Sequence, residues 1–260
     1  MEAKTCWITG ATSGIGRALA REYLGRGWKV VASGRAVDAL ESLAAEAPPG
    51  MVVQLPFDYE NAASLPLAVA AAMEHAPVLV ILNAGASQRM RVRDMGQADL
   101  ARIIRLDLSA PIELARLIVV SRKDDAARRP MRLVAVSSLA GMVPTPVRAG
   151  YAAAKHGLLG FFTTLAAEED PADLAVSIVM PGFVQTSIAE RAFSGSGGPP
   201  PDADIDGGMD PAVTAHRIAN GIERGRLFIL VALDARTRLA LVLRIFAPSL
   251  LVSILRKRGH

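Results

Sequence analysis

Seven short apolar runs, spread along 260 residues, leave this chain few ways to fold. They read TCWIT, KVVAS, MVVQL, VLVIL, RLVAVSS, AVSIVM and LFILV. Most are apolar at every position, not at every second one, which is the pattern of strands covered on both faces. Between them stand alanine-rich amphipathic stretches such as GRALAREYLGRG, VDALESLAAEA and HGLLGFFTTLAAEED. Strands that alternate with helices run parallel, and right-handed crossovers lay the helices on both faces of the sheet. The expected fold is therefore α/β, a doubly wound parallel sheet in one domain over residues 1–235. An apolar and basic helical extension is expected over 236–260. No linker or internal repeat divides the chain. FSGSGGPPPDADIDGGMD, residues 193–210, interrupts the pattern as either a solvated loop or a lid over a substrate site.

A chain that is 51% hydrophobic and 21% charged has the composition of a large soluble domain with a substantial core. The first ten residues, MEAKTCWITG, enter a strand at once and show no secretory leader, so a reducing cytoplasm is the expected location. The single cysteine, Cys6, rules out an intrachain disulfide, and its apolar surroundings predict a buried, inert thiol. The net charge of +4 is uneven: Arg217 onward carries nine basic and two acidic residues, while the rest is slightly acidic. The basicity belongs to the tail. No basic stretch is interleaved with aromatic residues, so no nucleic-acid partner is expected.

Two short motifs carry chemistry. TGATSGIG, Thr9 to Gly16, joins the first strand to the first helix. Gly10, Gly14 and Gly16 permit a tight turn, close approach of a phosphate to the backbone, and close packing of helix on strand. The helix N-terminus then offers free N–H groups to a pyrophosphate. No Lys-Ser/Thr pair follows, which argues against an ATPase loop. AGYAAAKHG, residues 149–157, puts Tyr151 and Lys155 four apart, so phenol and ammonium share one helix face. A free phenol titrates near pH 10, and a neighbouring cation favours its ionised form. That pairing suits a proton donor in carbonyl reduction.

The sequence resembles the short-chain dehydrogenase/reductase family in its single-domain, Rossmann-like form. Besides the glycine loop, NAG at Asn83, Ala84 and Gly85, the serines 137 and 138 followed by YAAAK, and PGFVQT at 181–186 stand in the family's order and spacing. The resemblance implies an oxidoreductase that transfers hydride between a nicotinamide dinucleotide and a carbonyl/alcohol pair. It implies Ser138, Tyr151 and Lys155 as catalytic, with Ser137 the lesser candidate. It implies cofactor contacts at Gly10, Thr12, Ser13, Gly14, Ile15 and Gly16, at Asn83, Ala84 and Gly85, and at Pro181, Gly182, Val184 and Thr186. Tyr151 and Lys155 add theirs at the nicotinamide end. It also implies a carboxylate of Asp58 on the adenine amino group, the Tyr59 backbone beside it, and a homodimer or homotetramer. No metal is called for. Asp107, in RIIRLDLSAPIELAR, stands where the family often has an asparagine whose backbone carbonyl holds a water beside the lysine. It keeps that backbone role, or pairs with Lys155 through its carboxylate, or is an ordinary surface residue.

At the end of the second strand the family's NAD-binding acidic residue is absent: Gly34 stands there and Arg35 follows. An arginine fork suits a 2′-phosphate, so NADP(H) is the expected cofactor, with the Ser33 hydroxyl as a further phosphate ligand. The tail ARTRLALVLRIFAPSLLVSILRKRGH is broken by Arg244 and Pro248 and is too short of apolar residues to span a membrane. It packs over a hydrophobic substrate's pocket or a subunit, or lies in a membrane interface, or ends the core as an ordinary helix. Two other readings stay open: a non-catalytic dinucleotide-binding sensor or scaffold, and a membrane-surface protein anchored by its tail.

Overall fold

The computed structural model describes residues 3–123, 129–186 and 208–258. Seven strands form one parallel sheet: β1 (Thr5–Thr9), β2 (Lys29–Gly34), β3 (Val52–Pro56), β4 (Leu79–Leu82), β5 (Met131–Val136), β6 (Leu174–Pro181) and β7 (Phe228–Val231). Their order across the sheet is β3-β2-β1-β4-β5-β6-β7. The connecting helices are α1 (Gly14–Gly25), α2 (Val37–Ala45), α3 (Ser64–Met73), α4 (Gln97–Ile104), α5 (Ala110–Lys123), α6 (Ala149–Glu168) and α7 (Pro211–Glu223). This is the doubly wound architecture that the apolar runs dictate.

Each strand feeds two cores. In β1, Trp7 points into the layer that holds Leu114, Ile118 and Phe162, while Cys6 and Ile8 point into the layer of Leu19, Leu40 and Ile218. That is why the strand reads apolar throughout. β7 departs from the expectation of a fully buried strand. Ile229 and Val231 are buried, but Phe228 and Leu230 are exposed, because β7 is the sheet edge and one of its faces is left uncovered.

The extension after β7 forms two helices, α8 (Ala235–Phe246) and α9 (Pro248–Arg258). Proline at 248 cannot donate a backbone hydrogen bond, so the chain breaks there and restarts. Asp234 caps α8 by accepting from Thr237 N at 2.7 Å. Leu241 packs on the core, and Leu251 is buried.

The chain winds away from β1 in one direction through β2 and β3, and in the other through β4 to β7. The loops leaving β1 and β4 therefore diverge, and a crevice opens at their carboxyl ends. Close packing of α1 on this crevice depends on Gly16: a Cβ there would collide with the Gly10 carbonyl oxygen and with Asn83 Nδ2. Gly10 itself has φ +68°, a backbone that side chains disfavour. Gly16→Ala is expected to lower unfolding free energy by about 1–3 kcal/mol, the usual cost of overpacking. Urea denaturation checks this, and an unchanged midpoint would remove the packing role.

Candidate active site

The crevice is a continuous cleft that runs from the end of β2, past the glycine loop that leaves β1, to the ends of β4, β5 and β6. At its root lies the Thr9 hydroxyl. It accepts from Tyr59 Oη at 2.8 Å, from Asn83 N at 3.0 Å and from Ala84 N at 3.1 Å. Asn83 Nδ2 donates back to the Thr9 carbonyl at 3.0 Å. One threonine thus fastens the end of β1 to the segment after β4, a role the sequence reading does not assign. Burial pushes the Tyr59 phenol far above its ordinary range, and its acceptance by Thr9 offsets only part of this. Tyr59 therefore lends the crevice a neutral side chain as well as the backbone that the sequence pointed to.

Gly10, Thr12, Ser13, Gly14 and Ile15 line one wall. The twelve-residue α1 begins at Gly14, so its N-terminus faces the cleft. Gly14 has φ +54°, and a Cβ there would press on the Thr186 side chain at 3.3 Å. Gly16 sits behind the loop and packs on it. A backbone-lined hollow at a helix N-terminus fits a pyrophosphate. At the far wall, Pro181, Gly182, Val184 and Thr186 line the cleft beside Asn83, Ala84 and Gly85. Gln185 N donates to the Met209 carbonyl at 3.0 Å, and Met209 N to Phe183 at 2.9 Å, which ties this wall to the start of α7. Of the expected lid over 193–210, residues 193–207 lie outside the described residues.

At the expected adenine end Ser33 lines the cleft, but its hydroxyl is fully buried and accepts from Trp7 Nε1 at 2.8 Å. A strand alternates its side chains, and at position 33 the alternation points toward Trp7. Arg35 does line the cleft, donating to Glu60 Oε1 at 3.1 Å, with Asp58 Oδ1 3.9 Å away. Arg102, from α4, grips the same Glu60 at 2.7 and 2.8 Å. Arg102 holds the Glu60 carboxyl below the usual carboxylate range, with a smaller pull from Arg35. Asp58 stands at the end of β3, half-exposed, where it accepts from Glu60 N at 3.0 Å.

The residues expected to be catalytic lie at the other end. Ser138, just past β5, lines the cleft, and its Oγ accepts from Ala140 N at 3.2 Å. Ser137 is buried and donates to the Lys155 carbonyl at 3.0 Å, a structural duty that leaves Ser138 as the accessible hydroxyl. Tyr151 lies in the first turn of α6, and its backbone N–H is satisfied by Gln88 Oε1 at 3.1 Å. Lys155 follows one turn later with Nζ 5.5 Å from the Tyr151 ring centroid. The ammonium donates to the Val136 carbonyl at 3.2 Å and pairs with Asp107 Oδ1 at 2.9 Å.

Asp107 is wholly buried, in a π-helical turn, Arg105–Ser109, that links α4 to α5. Such widened turns concentrate at functional sites. Its other oxygen accepts from Ala86 N at 3.1 Å. Of the three alternatives for this residue, the surface carboxylate is the one the geometry rejects. Burial pushes the carboxyl upward, and Lys155 offsets part of that. Burial pulls Lys155 down, but Asp107 and then Tyr151 outweigh it and leave the ammonium above its ordinary range. Gly85 must lack a side chain here, since a Cβ would run into Asp107 Oδ1.

Ser87, Arg148 and Phe183 are among the cleft residues that went unmarked in the sequence. Ser87 lines the cleft with a buried hydroxyl that has no hydrogen-bond partner among the described residues. Arg148 lines it from the N-cap position of α6, three residues before Tyr151. That spacing, half of an i, i+3, i+7 face with Tyr151 and Lys155, was the available signal. Phe183, beside Val184, adds an apolar surface. Before Arg148, Val147 is held at φ +59°, a conformation costly for a β-branched residue by about 1–3 kcal/mol. Its carbonyl accepts from Met90 N at 2.8 Å.

The family model described as short chain dehydrogenase matches residues 4–196. Dehydrogenase/reductase SDR family member 7B of Bos taurus is 31% identical over 97% of this chain and 80% of its own. Dehydrogenase/reductase SDR family protein 7-like of Anopheles gambiae is 31% identical over 100% of this chain and 84% of its own. Among solved structures, a short-chain dehydrogenase from Sphingobium yanoikuyae in complex with NADPH superposes with TM-score 0.78 at 26% identity, covering 90% of each chain. One from Burkholderia phymatum in complex with NAD gives 0.75 at 23% identity, covering 88% of this chain and 89% of its own. The motifs, the sheet order and these likenesses agree: the chain belongs to the short-chain dehydrogenase/reductase family, whose members are oxidoreductases that use a nicotinamide dinucleotide.

Proposed function

We propose that this protein interconverts a carbonyl and an alcohol on a largely apolar substrate, with NADP(H) as cofactor. The observation that carries the reading is the convergence of Ser138, Tyr151 and Lys155 on one end of a cleft that a helix N-terminus also lines. The bound nicotinamide supplies or accepts the hydride. Ser138 Oγ hydrogen-bonds the substrate oxygen. Tyr151 Oη gives its proton to that oxygen as the carbonyl is reduced, and takes one in the reverse direction. Lys155 holds a positive charge below the phenol and reaches toward the nicotinamide ribose. Asp107 fixes the ammonium in place, and the Val136 carbonyl accepts another hydrogen bond from it. Leu106, Val136, Phe183 and Val184 give the substrate end an apolar lining.

Preference for NADP(H) rests on Arg35, supported by Arg102, since both line the cleft near the end of β2. Glu60 shares their charge, and a 2′-phosphate would compete with it for both guanidiniums. The Ser33 hydroxyl is not part of this proposal, because Trp7 holds it. Asp58 and the Tyr59 backbone remain the proposed contacts to adenine.

The exposed face of α8 and α9 favours a second reading, in which a cytoplasmic homodimer or homotetramer works against a membrane surface. Leu239, Ile245, Phe246 and Leu250 are more than half exposed there. Arg236, Arg238, Arg244, Arg256 and Lys257 lie on the same two helices. No helix among the described residues is long and apolar enough to cross a bilayer. An apolar face flanked by basic residues instead suits the interface of anionic lipid. Flotation with anionic vesicles tests this: the wild-type chain is expected to float and Ile245→Asp/Phe246→Asp to sediment, whereas equal behaviour would refute it.

NADPH is expected to bind at least tenfold more tightly than NADH, or about 1.4 kcal/mol. Arg35→Ala should erase most of that gap, and Glu60→Gln should widen it by freeing both guanidiniums. Fluorescence titration of both cofactors measures each, and equal wild-type affinities would overturn the assignment.

Tyr151→Phe is expected to lower kcat by at least a hundredfold while NADPH affinity stays within a few-fold, because only the proton donor is lost. Asp107→Asn tests the lysine's partner. Removing the carboxylate takes away the charge that outweighs the burial of the ammonium, so kcat and NADPH affinity should both fall, by roughly tenfold or more. Unchanged values of both would confine Asp107 to a backbone role.

A further inference from the structure

Arg148 is the N-cap residue of α6, three positions before Tyr151 and seven before Lys155. All three line the cleft, and Arg148 stands near enough to Tyr151 for the two to interact electrostatically. Its guanidinium is largely withdrawn from water, lines the cleft, and has no hydrogen bond or ion pair among the described residues. Other arginines of this chain are answered: Arg17, Arg21, Arg26, Arg35, Arg102 and Arg116 all reach carboxylates. An arginine stays charged at any accessible pH, so a half-buried one without a partner is costly unless a ligand supplies the anion.

Three independent features make this place a built one. Ser87 presents a hydroxyl to the same cleft, 2% exposed and without a partner among the described residues. Arg89 stands near enough to add a second positive charge beside Arg148, which raises the potential there. Val147 is held in a disfavoured left-handed backbone directly before Arg148, pinned through its carbonyl by Met90 N at 2.8 Å. Strain of this kind is retained where the position of a side chain matters. The phosphates of the cofactor are accounted for elsewhere, at the N-terminus of α1 and at Arg35.

We propose that Arg148 and Ser87 form a carboxylate-binding subsite, and that the substrate is an oxo or hydroxy acid with an apolar skeleton. The inference rests on the oxidoreductase reading for the carbonyl and adds the anionic group. The carboxylate takes two parallel N–H bonds from the guanidinium, the geometry that matches the two groups best. Anchored there, the acid directs its carbonyl at the Tyr151 hydroxyl.

Matched pairs of substrates test it: 2-, 4- and 5-oxohexanoate against the methyl ester of each, with NADPH. The wild-type enzyme is expected to prefer at least one acid over its ester by tenfold or more in kcat/KM, mainly through KM. Arg148→Met should bring that ratio near one, and Arg148→Lys should retain part of it. Hexanoate, which cannot react, is titrated calorimetrically into the NADPH-loaded wild type and Arg148→Met, with melting curves to verify that the variant is folded. Binding by the wild type alone is the expected result. If no oxo compound turns over while hexanoate binding depends on Arg148, the oxidoreductase reading fails and the subsite stands. Equal rates for acid and ester, a preference that survives in Arg148→Met, or hexanoate binding that is absent or indifferent to Arg148 would each overturn the subsite.

Discussion

The reversal of winding between β1 and β4 is the constraint on which the molecule turns. A parallel sheet packed by helices on both faces leaves no room for a ligand inside the layers. Only where two consecutive loops leave in opposite directions does the sheet open, and here they part after Thr9 and after Leu82. A parting of loops is also a weak point, since it leaves backbone groups at two strand ends without neighbours. The Thr9 hydroxyl closes that gap by accepting from Tyr59, Asn83 and Ala84. Binding space and structural repair thus occupy the same few ångströms, and the glycine loop and the α6 helix are hung on either side.

A second economy surrounds Lys155. A charged ammonium in a dry site is stabilised only if its partner is close and the remaining groups are satisfied. Asp107 supplies the charge, and Val136 supplies a carbonyl. Neighbouring positions are shaped around the pair. Gly85 gives up its side chain to admit the Asp107 carboxylate, and Gly141 gives up its own beside the Lys155 carbonyl. The π-helical turn brings Asp107 inward at a point where a regular helix would have carried the chain past it. The lysine's orientation is thereby set before any ligand arrives.

Much of this was legible in the sequence, and the boundary has physical reasons. Apolar runs identified all seven strands, because burial on both faces leaves its mark in the composition of the inner strands and edge β7 is as apolar as they are. Tyr151 and Lys155 were legible because their relation is local, one turn of a helix. Ser138 was preferred over Ser137 by spacing, and the structure gives Ser137 a separate bond to the Lys155 carbonyl. What stayed hidden depends on contacts between distant parts of the chain. Trp7 and Ser33 are 26 residues apart, and nothing local to Ser33 reveals that its hydroxyl is taken. Asp107 and Lys155 meet only after α5 and β5 have been folded between them, so the sequence left several alternatives for the aspartate. Arg148 reads as an ordinary loop arginine until the fold brings it to the wall of the cleft. At β7 the sequence could not tell an edge from an interior strand, because Phe228 and Leu230 are as apolar as their buried neighbours.

Cys6 has no part in any of this, and that gives it another use. It lies in the middle of β1, between β2 and β4, and is wholly buried; burial also pushes its thiol far above the ordinary range. Local fraying at the sheet edges or movement of the terminal helices leaves it covered. A thiol reagent can therefore reach the sulfur only when the helical layer of α1 and α7 parts from the sheet. As the chain's sole cysteine, it is a built-in clock for that event. The rate of its modification times the opening of that layer, with no label added and no residue replaced.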